Sequence, residues 1–182
     1  MTGFLLLASG LLAGCIFSPD KGDENKPPPP PPEYPELSTP QAVLEALRIA
    51  YESRDSSGYL RLFEGDYKGA SYDTSEVSGN QPGEFTRVGE EMHIRSLAEN
   101  PNITSVDLYM AQPWTRSTVI SDNGTEEWAY IAIFNPQIGV TDGATTVQTV
   151  ANETFEFSFR PTVDFSSSTD TLWHIVRWTE AP

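Results

Sequence analysis

Leu172-Trp173-His174-Ile175-Val176-Arg177-Trp178 is the stretch that most clearly indicates the fold of this chain. Its side chains alternate between two sets, and a period of two residues is typical of a β-strand whose faces meet different surroundings. The stretch therefore predicts a strand over Thr171–Thr179. The two sets are Leu172, His174, Val176 and Trp178 on one face, and Trp173, Ile175 and Arg177 on the other.

Further strands are predicted upstream of this one. Turn sequences separate them, at Asp122-Asn123-Gly124, Thr141-Asp142-Gly143 and Phe165–Ser168. In the longest of these strands, Phe155, Phe157 and Phe159 alternate with polar residues and are expected to point inward. The strands are predicted at Tyr67–Tyr72, Ile103–Ala111, Ser117–Ser121, Trp128–Phe134 and Thr146–Arg160.

Three helices are predicted in the N-terminal half of the domain. The first is expected to begin at Thr39-Pro40, because threonine is a good N-cap and proline suits the first helical turn. In the third, Phe85, Val88 and Met92 form one apolar stripe. The helices are predicted at Pro40–Arg54, at Tyr59–Phe63 with Ser56 or Ser57 as its cap, and at Glu84–Glu99. Helices followed by a run of strands favour an α+β fold with an antiparallel sheet.

This order of elements resembles the nuclear transport factor 2-like fold, the family that also holds ketosteroid isomerases and polyketide cyclases. The resemblance covers residues 38–180 and rests on Pro40–Leu47 leading to Tyr51, on Tyr59–Phe63, and on Leu172–Trp178 as the closing strand. It implies three helices packed on a curved, mostly antiparallel, cone-like sheet, often with a pocket inside. The segments Asp73–Gly83 and Pro136–Thr145 would then be local elaborations.

The N-terminal segment carries Cys15, the only cysteine of the chain. Phe4–Ala13 matches the apolar core of a secretory signal, about 7–15 residues, and is too short to span a bilayer, which takes about 20. Leu12-Ala13-Gly14-Cys15 resembles the bacterial lipoprotein lipobox, which implies cleavage before Cys15, a diacylglyceryl group on its thiol and an acyl chain such as palmitate on the new amino group. Two or more acyl chains anchor a protein stably. A buried cysteine after an apolar helix is the alternative, and the polar sequence that follows disfavours it.

The segment Ile16–Glu36 lacks apolar periodicity and includes a run of prolines, Pro27–Pro32. Such a composition buries too little apolar surface to offset the entropy of ordering, and a proline run favours polyproline II. A spacer explains it better than a ligand for a proline-reading module. The predicted organisation is a signal peptide at 1–14, a lipidated proline-rich tether at 15–36 and one domain at 37–182. Ile16, rather than Asp, follows the cysteine, so the resemblance implies the outer membrane of the bacterial envelope where one is present.

Composition limits the classes of partner. The net charge of −15 argues against nucleic acid, whose phosphates need clustered Lys and Arg, and against docking of the domain itself on anionic lipid. We interpret the acidity as a contribution to solubility. A share of 38% hydrophobic and 11% aromatic residues is sufficient for a packed domain of this size.

Candidate site residues come from acid–base chemistry and from the pocket that the resemblance implies. Nucleophile, phosphate-loop and zinc motifs are absent from the sequence, and we predict neither metal nor cofactor. Glu90 precedes His93 by one helical turn, and we prefer a partly buried histidine beside an acidic face to a metal pair there. The acid–base candidates are His93, His174 and Asp107. The candidates for lining a ligand pocket are Tyr51, Tyr109, Trp128, Phe157 and Trp178, although such aromatics more often belong to a core.

Three functional hypotheses follow. The preferred one is a non-enzymatic envelope lipoprotein, held at the membrane through the lipid on Cys15, whose domain binds a small apolar ligand or a protein partner. The second is an enzyme of the isomerase or cyclase type that uses His93 or His174 with an acidic partner. The third is an assembly domain that forms a homodimer through an exposed face of its sheet.

Overall fold

The computed structural model describes residues 30–71, 83–150, 154–163 and 171–181 of the 182-residue chain. Cys15, the predicted signal peptide and most of the predicted tether and of the segment 73–83 lie outside these ranges. Three helices occur within them: α1 (Pro40–Ser53), α2 (Ser56–Leu60) and α3 (Arg87–Glu99). The strands there are β1 (Phe63–Ser71), β2 (Gly83–Thr86), β3 (Ile103–Tyr109), β4 (Ser117–Ile120), β5 (Glu127–Phe134), β6 (Gln137–Asp142), β7 (Thr145–Val150), β8 (Thr154–Val163) and β9 (Thr171–Ala181).

The strands of the described ranges form two hydrogen-bonded sheets. The larger has the order β2-β1-β9-β8-β5-β4, and the smaller has the order β3-β6-β7. Among the described strands, only β1 and β9 pair in parallel, and every other described pair is antiparallel. The predicted α+β class, with helices packed on a curved and mostly antiparallel sheet, is confirmed. None of the described helices is long and apolar enough to cross a membrane.

Helix α1 begins as its sequence predicts. The Thr39 side chain accepts a hydrogen bond from the backbone N–H of Ala42 at 3.1 Å, and Pro40 occupies the first turn. Arg54 ends the helix in the left-handed conformation with φ 55°. Its guanidinium donates a hydrogen bond to the carbonyl of Ile103 at 2.6 Å, and this bond links the end of α1 to the start of β3.

The main core lies between α1 and the inner face of the larger sheet. Val43, Leu44 and Leu47 on α1 are fully buried, as are Phe157 and Phe159 on β8. The predicted inward orientation of the β8 phenylalanines is therefore confirmed. Burying an aliphatic or aromatic side chain of this size stabilises the fold by about 1.5–3 kcal/mol each.

A β-bulge changes the alternation expected of β9. Pairing passes from Ser158 opposite Arg177 to Phe159 opposite Ile175, so Val176 is the extra residue in the described ladder. Such a bulge bends a strand and resets which side chains share a face. Ile175 and Trp178 consequently both lie on the inner face, whereas strict alternation placed them on opposite faces.

The structure corrects the predictions for α2 and α3. Helix α3 begins at Arg87, and Thr86 is its N-cap, because the preceding residues pair with β1 as strand β2. The predicted apolar stripe of α3 is wrong: Val88 and Met92 are 64% and 67% exposed, and Ile94 is the buried residue. Helix α2 spans Ser56–Leu60 and is capped by Asp55 rather than by a serine.

The segment predicted as a local elaboration, Pro136–Thr145, is part of the fold. It contributes β6, which pairs with β3 on one side and with β7 on the other. The single strand predicted over Thr146–Arg160 is correspondingly two strands, β7 and β8. The turn between β6 and β7 holds Gly143 at φ 58°, a left-handed conformation that glycine adopts readily.

Candidate functional site

A cavity of about 300 Å³ lies between the three helices and the inner face of the larger sheet. This volume is at the lower end of small-ligand sites, which span about 300–1,000 Å³. Residues from α1, α2, α3, β1, β2, β6 and β9 line it: Tyr51, Tyr59, Ser71, Phe85, Gly89, Glu90, His93, Ile138, Trp178 and Glu180.

Two buried tyrosines hold the carboxylate of Glu90. The hydroxyl of Tyr59 donates to Oε2 at 2.8 Å, and the hydroxyl of Tyr67 donates to Oε1 at 2.7 Å. Tyr59 is fully buried and Tyr67 is 4% exposed, so their rings are fixed by the core. Hydrogen bonds to an ionised group are stronger than those between neutral groups, and this pair therefore fixes the position of the carboxylate.

Gly69 makes the Tyr67 contact sterically accessible. A Cβ atom at this position would lie 2.5 Å from the Tyr67 hydroxyl, closer than real Cβ atoms approach other heavy atoms. The hydroxyl crosses the bare backbone of β1 at Gly69 and reaches Glu90 on α3. A side chain here would displace either the ring or the strand.

His93 lies one turn after Glu90 on α3. Its Nε2 is 2.8 Å from the hydroxyl of Tyr51, and the two rings have centroids 5.8 Å apart. The imidazole is exposed on its other side, whereas Tyr51 is 3% exposed. The cavity therefore contains two adjacent pairings of a tyrosine with a titratable group, one buried against the core and one open to solvent.

The cavity tyrosines stay protonated over a wide pH range. Burial is the largest cause that raises the pKa of Tyr51, Tyr59 and Tyr67, and the negative charge of Glu90 raises all three further. The charge of Glu180 adds to the raised pKa of Tyr51 and Tyr67. A phenol that keeps its proton remains a hydrogen-bond donor, which is the role the geometry gives Tyr59 and Tyr67.

The lining is acidic. Glu90 and Glu180 are its carboxylates, His93 is its only other titratable side chain besides the tyrosines, and no Lys or Arg is among its described residues. Within the described ranges, no group of three or more His, Cys, Asp or Glu side chains is placed to hold a metal ion. The arrangement can therefore offer carboxylate acceptors, phenol groups and aromatic faces to a small molecule.

Among the residues singled out from the sequence, the structure brings Tyr51, His93 and Trp178 together in the cavity. Phe157 is fully buried in the core behind Trp178, with ring centroids 5.0 Å apart, and does not line the cavity. Trp128 lies on β5 and donates to Glu126 at 3.1 Å.

Asp107 and Tyr109 lie on β3, where both are exposed. They border a second, more open groove between α1 and β3, together with Arg48 and Glu52 of α1. Neither residue lines the cavity.

His174 lies on the opposite face of the larger sheet. It belongs to a group that we call the outer cluster: Glu64, Asp66, Arg160, Thr162 and His174. Arg160 donates to both oxygens of Asp66 at 3.1 and 2.8 Å and lies 3.2 Å from Glu64. His174 Nδ1 is 3.8 Å from Glu64, beyond hydrogen-bond distance. The two histidines therefore belong to different sites.

Sequence reasoning missed the residues that define the cavity chemistry. Tyr67 and Glu180 were not singled out, and Glu90 was interpreted as part of an acidic face beside His93, in preference to a metal pair. The spacing of Glu90 and His93 on one helix surface was the available signal. The partners of Glu90 come from α2 and β1, at sequence separations of 31 and 23 residues, and no local pattern indicates them.

Comparison with solved structures finds chains of similar fold. The β subunit of an aromatic-ring-hydroxylating dioxygenase from Novosphingobium aromaticivorans matches with a TM-score of 0.50 and 13% identity, covering 80% of this chain and 87% of its own. A nuclear transport factor 2-like protein with a cystatin-like fold from the same organism matches at 0.45 and 14%, covering 76% of each chain. A protein with a ketosteroid isomerase-like fold from Catenulispora acidiphila matches at 0.44 and 11%, covering 79% and 86%.

The sequence matches no family model and no curated protein. At these identities the likeness to solved structures concerns the fold alone. The described chain is similar in fold to the dioxygenase β subunit and to proteins described as nuclear transport factor 2-like or ketosteroid isomerase-like.

Proposed function

We propose that this protein binds a small organic molecule in the cavity between its helices and sheet, and that a lipid on Cys15 tethers it to the bacterial envelope. One observation carries the binding proposal: the polar groups of the cavity are held in place before any ligand arrives. Glu90 is fixed by the hydroxyls of Tyr59 and Tyr67 at 2.8 and 2.7 Å. A preorganised site loses less entropy on binding, which favours affinity.

The hydrogen bonds of Glu90 favour binding over catalysis. Each carboxylate oxygen already accepts a hydrogen bond from one tyrosine hydroxyl, so the group is held in one orientation. A fixed charge of this kind orients a ligand. The cavity is lined by aromatic rings on several sides, which supplies contact area at low cost in conformational entropy.

The test is native mass spectrometry of the full chain purified gently from its source cells. We expect a reproducible added mass that Gly89→Leu removes. Gly89 lines the cavity, and a Cβ there would meet only the Thr86 hydroxyl oxygen, at 3.8 Å, so the backbone tolerates a side chain and we expect that of leucine to reduce the cavity volume. Replacing glycine within a helix also stabilises it by about 0.5–1 kcal/mol, so loss of fold does not explain loss of ligand.

The matched control is Gly65→Leu. Gly65 is exposed on β1, away from the cavity, and a Cβ there would meet nothing within 4 Å. This variant should retain the added mass. A bare mass in the wild type, together with no binding by any member of a small-fragment set, would refute the binding proposal.

The anchor is tested separately, because it rests on the Leu12–Cys15 motif alone. Cys15→Ser removes the thiol that would carry the lipid, so the variant should move from the membrane fraction to the soluble fraction. A Cys15→Ser protein that remains with the membrane would exclude anchoring through this residue. The outcome has no bearing on the cavity.

A second candidate function is acid–base catalysis of the isomerase or cyclase type. The observation that favours it is the proximity of two proton-carrying pairs, Glu90 with its tyrosines and His93 with Tyr51. If a bound molecule is identified, its conversion to an isomer by the wild type but not by His93→Gln would establish this activity. Retention of the unchanged molecule by both proteins would leave binding as the function.

A further inference from the structure

The described lining of the cavity contains acidic but no basic side chains. Glu90 and Glu180 both line it, and none of its described lining residues is a lysine or an arginine. Both carboxylates act on the same buried phenol, because their negative charges each raise the pKa of Tyr67. In a partly dehydrated site this charge attracts a positive group and disfavours an anion.

The walls around these carboxylates are aromatic. Tyr51, Tyr59, Phe85 and Trp178 line the same cavity. The face of an aromatic ring attracts a cation within about 6 Å of its centroid, and tryptophan does so best. Elsewhere in the described chain the protein uses this interaction itself, with Arg61 at 4.2 Å from the ring of Tyr34 and Arg116 at 4.5 Å from that of Trp173.

The shape and the donor set indicate an organic rather than an inorganic cation. A metal ion requires several ligands converging on one point, and the described residues contain no group of three His, Cys, Asp or Glu side chains placed in that way. The cavity of about 300 Å³ is also far larger than a metal ion. It matches a compact organic molecule with a charged head.

From these observations we propose that the ligand is a small organic cation, a quaternary or protonated amine. Its positive head lies near Glu90 and Glu180, and its alkyl groups contact the rings of Tyr51, Phe85 and Trp178. This inference rests on the proposed function, since it names the ligand class of the same cavity. It adds that charge, and not apolar surface alone, selects the ligand.

The test uses three probes of nearly the same shape on the full chain, measured by isothermal titration calorimetry. Choline carries the positive charge. Neohexyl alcohol replaces its nitrogen by carbon and is neutral, and the anion of tert-butylacetic acid is negative. We expect choline to bind with a Kd at least about tenfold lower than that of the alcohol, and the anion to bind most weakly.

Two matched variants test whether the charge of Glu90 is responsible for the affinity for choline. Glu90→Gln keeps the size of the side chain and removes its charge, so choline should bind about tenfold more weakly while the alcohol is unaffected. Glu99→Gln makes the same change at an exposed position of α3 that does not line the cavity, and should leave both affinities unchanged. If Glu90→Gln unfolds, Glu180→Gln removes the other carboxylate charge of the cavity and should likewise weaken the binding of choline.

The outcomes separate the two proposals. If the alcohol or the anion binds as tightly as choline, or if neither Glu90→Gln nor Glu180→Gln weakens choline binding, the cation inference fails and the binding function stands. If neither the three probes nor a diverse fragment set binds, the proposed function fails and the inference fails with it.

Discussion

Two clusters with similar residue types lie on opposite faces of the larger sheet and differ in how their carboxylates are paired. In the cavity, Glu90 accepts hydrogen bonds from neutral phenols, and no arginine or lysine is among the described lining residues. In the outer cluster, Arg160 bridges Glu64 and Asp66 directly. In the outer cluster the one positive charge of Arg160 offsets one of the two carboxylate charges, whereas the described partners of Glu90 are neutral donors.

The comparison shows that a histidine near a carboxylate is not by itself a functional signal. His174 lies near Glu64, but Arg160 already satisfies that carboxylate and connects β1 to β8. These ion pairs join two strands and therefore have a structural role. His93, in contrast, lines a cavity with Tyr51 and Glu90. The neighbours of a histidine, rather than its presence, distinguish the two sites.

The largest expected effect comes from removing the carboxylate that Tyr59 and Tyr67 share as a hydrogen-bond acceptor. Glu90→Leu leaves the buried hydroxyls of Tyr59 and Tyr67 without their acceptor, and each unsatisfied hydroxyl costs about 1–3 kcal/mol. We expect the free energy of unfolding, measured by urea denaturation, to fall by about 2–4 kcal/mol.

The control for this variant is Glu91→Leu on the same helix, which loses only the surface ion pair with Arg95 and should cost less than about 1 kcal/mol. Combining Glu90→Leu with Tyr59→Phe and Tyr67→Phe removes donors and acceptor together and should recover much of the loss. If the combined variant is less stable than Glu90→Leu alone, the hydrogen bonds are not the cause.

A smaller effect is expected from breaking the outer cluster. Arg160→Ala leaves Glu64 and Asp66 close together without their cation, and should lower the free energy of unfolding by about 1–2 kcal/mol. The loss should shrink at high salt, which screens the repulsion. Arg95→Ala, which breaks a more exposed pair, should change stability by less than about 1 kcal/mol. Equal losses in the two variants would contradict a structural role for the outer cluster.

The outer cluster should also make stability depend on pH. Burial is the main cause that lowers the pKa of His174, and Arg160 lowers it further against the opposing charge of Glu64. As pH falls below the ordinary histidine value of about 6.5, the unfolded chain takes up a proton that the folded His174 resists. The contribution of this residue to stability is therefore present above that pH and lost below it.

The carboxylates of the outer cluster also make the folded state less stable as pH falls, in a lower pH range than His174. Burial alone would raise the pKa of Glu64, but the hydroxyl of Thr162 and Arg160 outweigh it, so the pKa is lowered. Arg160 is the main cause that lowers the pKa of Asp66. Urea midpoints should fall from neutral pH to mildly acidic pH, and His174→Phe should remove part of that fall. An identical pH profile in the variant would show that His174 does not contribute.

The smallest expected effect is spectroscopic and concerns the cavity. Because burial and the charge of Glu90 raise the pKa of Tyr51, Tyr59 and Tyr67, the folded state favours their neutral forms. The resulting contribution to the free energy of unfolding is fully present below the ordinary tyrosine pKa of about 10 and is lost as pH rises above it. In an alkaline titration the last part of the tyrosinate absorbance should appear together with unfolding. Complete ionisation before the circular dichroism changes would contradict this burial.

The elements that could be predicted from the sequence are those specified by local patterns. Thr39-Pro40 indicates the start of α1, and the alternation of Phe155, Phe157 and Phe159 gives the inner face of β8, because both signals depend on adjacent residues. Val88 and Met92 misled the prediction for α3. Their helical spacing is real, but the face they form is exposed in the described structure.

The candidate site was predictable only in part. Tyr51, His93 and Trp178 were recognised by residue type and by the resemblance to a pocket-containing fold. Their assembly with Tyr67 and Glu180 depends on the parallel pairing of β1 with β9, which places Ser71 opposite Glu180. Parallel pairing joins segments far apart in sequence and has no local signature.

The sequence by itself determined the α+β class, the helix start at Thr39 and the strand at the end of the chain, because each follows from short-range geometry and side-chain period. Only the tertiary structure decided which carboxylates face a cavity and which are neutralised. The bulge at Val176 brings Trp178 to the inner face, and the bare backbone at Gly69 lets Tyr67 reach Glu90. These are contacts between distant segments, whose free energy depends on the packing of the whole domain rather than on any one stretch.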